Sequence, residues 1–314
     1  MTSLEGAPFA AGANAPRPSR PQGDVRMGVI AALSVYSIWG FLPLFFKLLE
    51  DIDPVLVVAS RIVFSLFLVA VVLAARRQMG EVAAALRDRR VLMTLTVSAV
   101  LVAANWLVFI WAVANEKVLD VSFGYFINPM VSVVIGLVLL GEDLSRTQWV
   151  AISLAVVAIA IQVVGLGSLP WVAIFLALTF AFYGYVRKTV NVGSAAGLMI
   201  ETIILTPAAL LYIGWTMLAP GPHPMSDPGM LLLLALAGPA TAVPLMLFAF
   251  AARQLRLSTI GMFQYIAPSM GFLLAVFTFG EPLQLPRLVS FALIWISVAI
   301  FTAGSLRTRI ARQA

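Results

Sequence analysis

Long apolar runs alternate with short polar hinges along this chain, and the runs share nearly one length. Ten stand out, at 27–47, 54–75, 91–114, 119–140, 148–165, 169–186, 197–218, 230–252, 257–280 and 287–305. About 20 apolar residues wound as a helix cross a hydrocarbon core of about 30 Å. Lipid offers no partner for a backbone N–H or C=O, so helices that close their own bonds are the expected elements. A membrane β-barrel would show short segments of alternating polarity, and there are none. The pattern predicts an all-α polytopic membrane protein with ten transmembrane helices. Residues 1–26, rich in Pro, Gly, Ala and Ser, read as a flexible tail without the order of a signal peptide. EVAAALRDRR (81–90) is basic and partly amphipathic and reads as a surface helix, and 306–314 reads as a short closing tail.

Composition agrees with this pattern. About 61% of the residues are apolar and 11% charged, against about 25% charged in soluble domains, too little polar surface for a soluble fold of this length. The net charge of +6 raises nucleic acid as a partner, but its distribution answers differently. With the N-terminus in the cytoplasm, sixteen of the twenty Lys and Arg residues fall in cytoplasmic segments, and the far-side loops hold only Lys117 and Arg287. That asymmetry is the positive-inside rule, and it places both termini in the cytoplasm. No role in binding nucleic acid is left to explain.

One pattern occurs twice. YFINPMVSVVIGLVLLGE (125–142) and QYIAPSMGFLLAVFTFGE (264–281) each carry a proline ahead of a Gly-Glu pair, so Pro129, Gly141 and Glu142 recur as Pro268, Gly280 and Glu281 at a constant offset of 139. Five runs precede residue 168 and five follow it. An odd number of spans per copy turns the second copy upside down. The expected architecture is two inverted five-helix repeats, 27–165 and 166–305, of the kind that encloses a central site in secondary transporters. A proline inside a helix removes one backbone bond and frees the carbonyl four residues earlier, here those of Tyr125 and Gln264. Paired helix breaks at Pro129 and Pro268 point to a cavity between the repeats. Each Gly-Glu pair is read as a helix end, the glycine closing the helix and the glutamate shaping the turn at the membrane interface.

Charges at membrane depth face protein or a watery cavity. Arg61 enters the second span from outside and Glu201 the seventh from inside, at an offset of 140. Entering from opposite faces, they stay about 10–15 Å apart in height, which sets opposite charges at two depths of a cavity rather than in a direct ion pair. Arg61 suits a substrate carboxylate, and Glu201 is the candidate for binding and releasing a proton. Trp39, Asn105, Tyr125, Asn128, Gln264 and Tyr265 complete the expected substrate-binding set, as aromatic walls with a few placed polar groups. Lys47 is expected to snorkel outward, and Trp149, Tyr212 and Trp215 to sit in the interfacial belt.

Other functions find little support. The absence of cysteine removes disulfides, thiolate metal sites and cysteine nucleophiles. The single histidine, His223, lies in a Pro-Gly-rich loop, and a metal site needs several ligands. There is no HExxH, GxSxG or Walker motif, so no catalytic residue, cofactor or metal is expected, and any drive comes from ion or substrate gradients. A channel would show rings of like charge or a filter loop. A lipid or lipid-linked flippase of similar architecture stays open as the alternative.

The stretches YSIWGFLPLFFKLL (36–49), SRIVFSLF (60–67), NWLVFIWAVAN (105–115), LDVSFGYFINPMV (119–131), LTFAFYGYVRK (178–188) and RLSTIGMFQYIAPSMGFLLAV (256–276) carry a resemblance. The chain resembles the EamA family of the drug/metabolite transporter superfamily, in particular its RarD type, named for chloramphenicol sensitivity. The resemblance covers nearly everything from 27 to 305. It implies ten helices, a bacterial plasma (inner) membrane location and small-molecule transport, often export. A homodimer is compatible with it.

Overall fold

A computed structural model describes residues 25–140, 146–220, 223–255 and 263–311. The N-terminal tail, the Gly141-Glu142 pair and the first part of the ninth apolar run lie outside the described residues. Eleven α-helices and no strands are found among them. They are α1 (Val25–Lys47), α2 (Pro54–Ala75), α3 (Met79–Arg87), α4 (Arg89–Ala114), α5 (Val118–Leu140), α6 (Arg146–Leu166), α7 (Trp171–Thr189), α8 (Ser194–Leu218), α9 (Pro228–Gln254), α10 (Ile266–Leu273) and α11 (Leu285–Ala311), with α10 continued by a π-helical turn over Leu274–Thr278. Seven of these (α1, α2, α4, α6, α8, α9 and α11) are long and apolar enough to cross a membrane. Trp171–Arg187 and Ile266–Thr278 are shorter apolar helices. The basic 81–90 segment is divided, its first part in the short helix α3 and Arg89 and Arg90 opening α4. The closing segment continues α11 as far as Ala311, six residues past the expected end of its span.

Local chemistry starts the helices. Asp53 caps α2 by accepting from Val55 N (2.7 Å) and Leu56 N (3.1 Å), and Pro54 occupies the first helical position. Asp227-Pro228 repeats the device at α9. Asp88 caps α4 through Arg90 N and Val91 N. Gly280 adopts φ +67 just beyond the π turn, the left-handed conformation that ends a helix and costs glycine little.

The core is built by α2, α4, α5 and α7, with α8 and α9 against α2, and α1 against α9 and α10. Close approaches use glycine. A Cβ on Gly124 would stand 2.7 Å from the Ala173 carbonyl oxygen, so only glycine lets α5 and α7 meet there. At the periphery, α6 and α11 pair with each other. Their seam is small and hydrogen-bonded, with Ser290 Oγ donating to Ala158 O (2.9 Å) and Ser297 Oγ to Ala151 O (2.7 Å). Only 22% of the most apolar stretch of each of these helices is buried, against 50% in α2 and α4, which leaves broad apolar faces exposed of the kind that lipid covers. Between them lies a shallow apolar groove of about 510 Å³ lined by residues such as Val157, Val164, Leu285 and Val289.

The two prolines behave differently. α5 runs unbroken through Pro129, so the break expected there does not occur. One lost N–H bond is bridged by the intact bonds on either side. Pro268 is the third residue of α10, in the first turn where a missing N–H costs little, and the interruption falls just ahead of it, in a turn at Gln264–Tyr265. Pro43, Pro207, Pro239 and Pro244 also lie inside helices, and none of them has a counterpart at the repeat offset.

One capping contact joins distant parts of the chain. Glu281 accepts from Val118 N (2.6 Å) and Leu119 N (3.0 Å) at the start of α5, while the neighbouring Asp120 pairs with Arg287 at 3.5 Å. Burial pushes the Glu281 carboxyl up, and the two N–H groups and Arg287 pull it back. Replacing Glu281 by alanine leaves both N–H groups without their acceptor. The expected cost is about 1–2 kcal/mol, read as a lowered unfolding temperature in detergent. Glutamine, which keeps one acceptor oxygen, should lose about half as much. An unchanged unfolding temperature for the alanine variant would remove this contact from the stability of the bundle.

Candidate functional site

Two charged centres lie inside the bundle, near opposite ends of the antiparallel helices α2 and α8. Arg61 is seven residues past the start of α2, and Glu201 is seven residues past the start of α8. At a rise of about 1.5 Å per residue each is about 10 Å from its own end.

Arg61 is 5% exposed. Its guanidinium carbon lies 4.2 Å from the centre of the Trp106 ring and 5.4 Å from that of Phe46, an arrangement that stabilises a cation through the ring quadrupole. The two rings supply no hydrogen-bond acceptor in the ring plane, and Nε and Nη1 have no hydrogen-bond partner. Tyr125, seven residues past the start of α5, packs on Phe109, which in turn packs on Phe46 beside Arg61. The Tyr125 hydroxyl meets Asn105 Oδ1 at 3.4 Å. Asn105 Nδ2 donates to Leu176 O (3.1 Å) and Thr179 Oγ1 (2.9 Å). Both amide donors are therefore engaged, and Asn105 ties α4 to α7 while holding Tyr125.

Glu201 is 1% exposed. Ser98 Oγ on α4 donates to its Oε1 at 2.6 Å, and Arg187 Nε on α7 approaches the same oxygen at 3.7 Å. Tyr183 faces this carboxylate too, and Oε2 has no hydrogen-bond partner. Arg187 reaches Glu201 across Gly197, where a Cβ would collide with its guanidinium. Its Nη2 also donates to Gly193 O at 3.3 Å. The Gly193 N–H in turn donates to Glu81 of the surface helix α3 at 2.6 Å, so α3 braces the α7–α8 turn.

A row of rings joins the two centres. Successive centroids are 5.8 Å apart for Phe46–Phe109, 6.4 Å for Phe109–Tyr125, 6.0 Å for Tyr125–Phe180 and 6.0 Å for Phe180–Tyr183. It begins at the Arg61 cage and ends beside Glu201.

The structure thus brings Arg61, Asn105 and Tyr125 together and puts Glu201 at the other end of the row. Trp39 lies elsewhere, packed on Tyr36 (5.4 Å) and Phe248 (5.9 Å) between α1 and α9. Tyr265 stacks on Phe126 at 6.3 Å. Gln264 sits half-buried in the turn before α10, and Asn128 is buried on α5 with Oδ1 unpartnered. Lys47 does not simply snorkel, since it pairs with Glu50 at 2.5 Å. Tyr212 donates to Asp53 at 3.0 Å, while Trp149 and Trp215 are exposed. Sequence reasoning missed Arg187 as a partner of Glu201, counting it only as a loop charge. No local signal marked it, because its contact with Glu201 forms only where α7 meets α8. Among the described residues no three His, Asp or Glu side chains gather where they could hold a metal.

These features define a polytopic helical membrane protein with paired charged centres inside the bundle. Residues 26–164 match the EamA-like transporter family. The chain is 42% identical over 287 residues to Protein RarD of Salmonella typhimurium, covering 91% of this chain and 98% of that one. It is 40% identical to an uncharacterized transporter of Vibrio cholerae over 91% of this chain and 95% of that one. A solved chain known only as the crystal structure of a protein superposes with a TM-score of 0.59 at 16% identity, covering 90% of this chain and 99% of that one, so the fold has been seen in a crystal. The chain belongs to the EamA-like transporter family, with RarD proteins among its relatives.

Proposed function

We propose that this chain is a secondary transporter of a small metabolite or drug-like molecule, exporting it by alternating access across the bacterial inner membrane. In this reading ten spans form two inverted repeats, 27–165 and 166–305, with both termini in the cytoplasm. The observation that carries the reading is the pair of buried charges, Arg61 and Glu201, at equivalent positions of α2 and α8 and joined by aromatic rings. An inverted repeat converts one such position into an outer and an inner station of a single route. Arg61 and Tyr125 contact the substrate, with Asn105 holding Tyr125 in place. Asn128, Gln264 and Tyr265 line the route around the turn before Pro268. Glu201 exchanges a proton with the cytoplasmic side.

Inside-out membrane vesicles test the proposal. Labelled small acids, amino acids and chloramphenicol are offered as a pool, with and without an imposed pH gradient. Gradient-dependent accumulation of at least one compound, absent from vesicles lacking the protein, is the expected result. Equal uptake by both vesicle types would sink the exporter reading.

A further inference from the structure

We infer that the cargo is a small organic monoanion, a monocarboxylate with an aromatic or apolar body, and that Arg61 binds its carboxylate. The inference rests on the transport reading and narrows it to a chemical class.

Among the described residues Arg61 is a buried cation without an acid. Among the described residues the other carboxylates are committed elsewhere or exposed in loops. Glu201 is held by Ser98 and Arg187, Asp120 by Arg287, and Glu281 by the start of α5. A charge taken out of water this deeply is costly unless it is paired. Trp106 and Phe46 cover part of the guanidinium and leave Nε and Nη1, on different edges of its plane, unsatisfied. One carboxylate can bond either Nε or Nη1 together with the Nη2 that both edges share, a two-bond fork which an ammonium or a neutral hydroxyl cannot complete.

Charge balance chooses among ligand classes. A monoanion brings the site to neutrality. A zwitterion returns a positive charge next to Arg61, with no acid there to receive it. A neutral drug leaves the guanidinium buried and unpaired. A dianion would need a second cation, but Lys47 is paired with Glu50 and Arg187 belongs to the Glu201 centre. Beyond the fork the ligand meets the rings of Phe109 and Tyr125, which favour an aromatic or apolar body.

The test uses the full chain, purified and reconstituted in liposomes at pH 7.5, with three labelled probes that share a benzene ring and differ in charge. Phenylpyruvate is the monoanion, phenylalanine the zwitterion with the same ring, and chloramphenicol the neutral compound. Uptake into protein-free liposomes is subtracted, and quenching of tryptophan fluorescence by each probe reports binding apart from transport. Phenylpyruvate uptake should exceed that of the other two by more than tenfold. Arg61→Gln should abolish it, and Arg61→Lys, which keeps the charge without the fork, should retain about a tenth. An unfolding temperature for each variant identifies a merely misfolded protein, and the comparison of probes on the unmodified chain decides the class without any variant. Transport of phenylalanine or chloramphenicol with phenylpyruvate inert would overturn the monoanion class and leave the transporter standing. Saturable phenylpyruvate binding without uptake would support the class and overturn transport. Neither binding nor uptake of phenylpyruvate overturns the class, as does phenylpyruvate uptake left intact by Arg61→Gln.

Discussion

Alanine at position 187 should destabilise the bundle by about 3 kcal/mol, the usual cost of removing one partner of a buried ion pair. The penalty comes less from the lost attraction than from what is left behind. Glu201 would remain almost fully buried, with Ser98 as its hydrogen-bond donor and no cation to offset its charge. Adding Glu201→Gln should recover most of the loss, because a neutral amide still accepts from Ser98 and needs no counter-ion. The measurement is thermal unfolding of the two single variants and the double variant in one detergent. The two substitutions should be strongly non-additive, with a coupling above about 1 kcal/mol. Additive losses would mean that the 3.7 Å approach of Arg187 to Glu201 contributes nothing to the fold.

Glutamine at position 201 by itself should uncouple transport from the pH gradient. The reasoning follows from the transport proposal and from the position of Glu201. It is buried, with Ser98 bonding one carboxylate oxygen and Tyr183 and Arg187 facing the group, and a carboxyl in that setting can take up and release a proton. The amide cannot exchange that proton. Gradient-driven accumulation in inside-out vesicles should fall at least tenfold, to the level seen without a gradient, while exchange of labelled for unlabelled substrate continues. Accumulation still driven by the gradient in this variant would assign the coupling to another residue. Loss of exchange as well would point to a structural role for Glu201.

Much of the helical layout was legible in the chain because lipid imposes a simple rule. Backbone groups must be satisfied within each helix, so runs of uniform apolar length translate directly into α1, α2, α4, α6, α8, α9 and α11. Gly280 was legible for a similar reason, since a left-handed residue ending a helix is a local requirement. Arg61 and Glu201 stood out because a charge in an apolar run is conspicuous. Their surroundings were not legible. Nothing local distinguishes Arg187 from the other basic residues at helix ends, and its role appears only when α7 and α8 meet across Gly197. Trp39 and Asn105 looked alike as candidates, yet packing sent Trp39 to Tyr36 and Phe248 and committed Asn105 to α7.

The sequence by itself determined a helical membrane protein and which positions carry charge inside it. Those properties depend on short stretches of chain and on the solvent around them. The tertiary structure alone decided which charge has a partner. Glu281 found the start of α5 more than a hundred and sixty residues away, and Glu201 found Ser98 from another helix. Arg61 found aromatic faces and, among the described residues, no acid. Electrostatic pairing acts over a few ångströms in space whatever the separation along the chain, so only the packed helices show which charges remain open to a ligand.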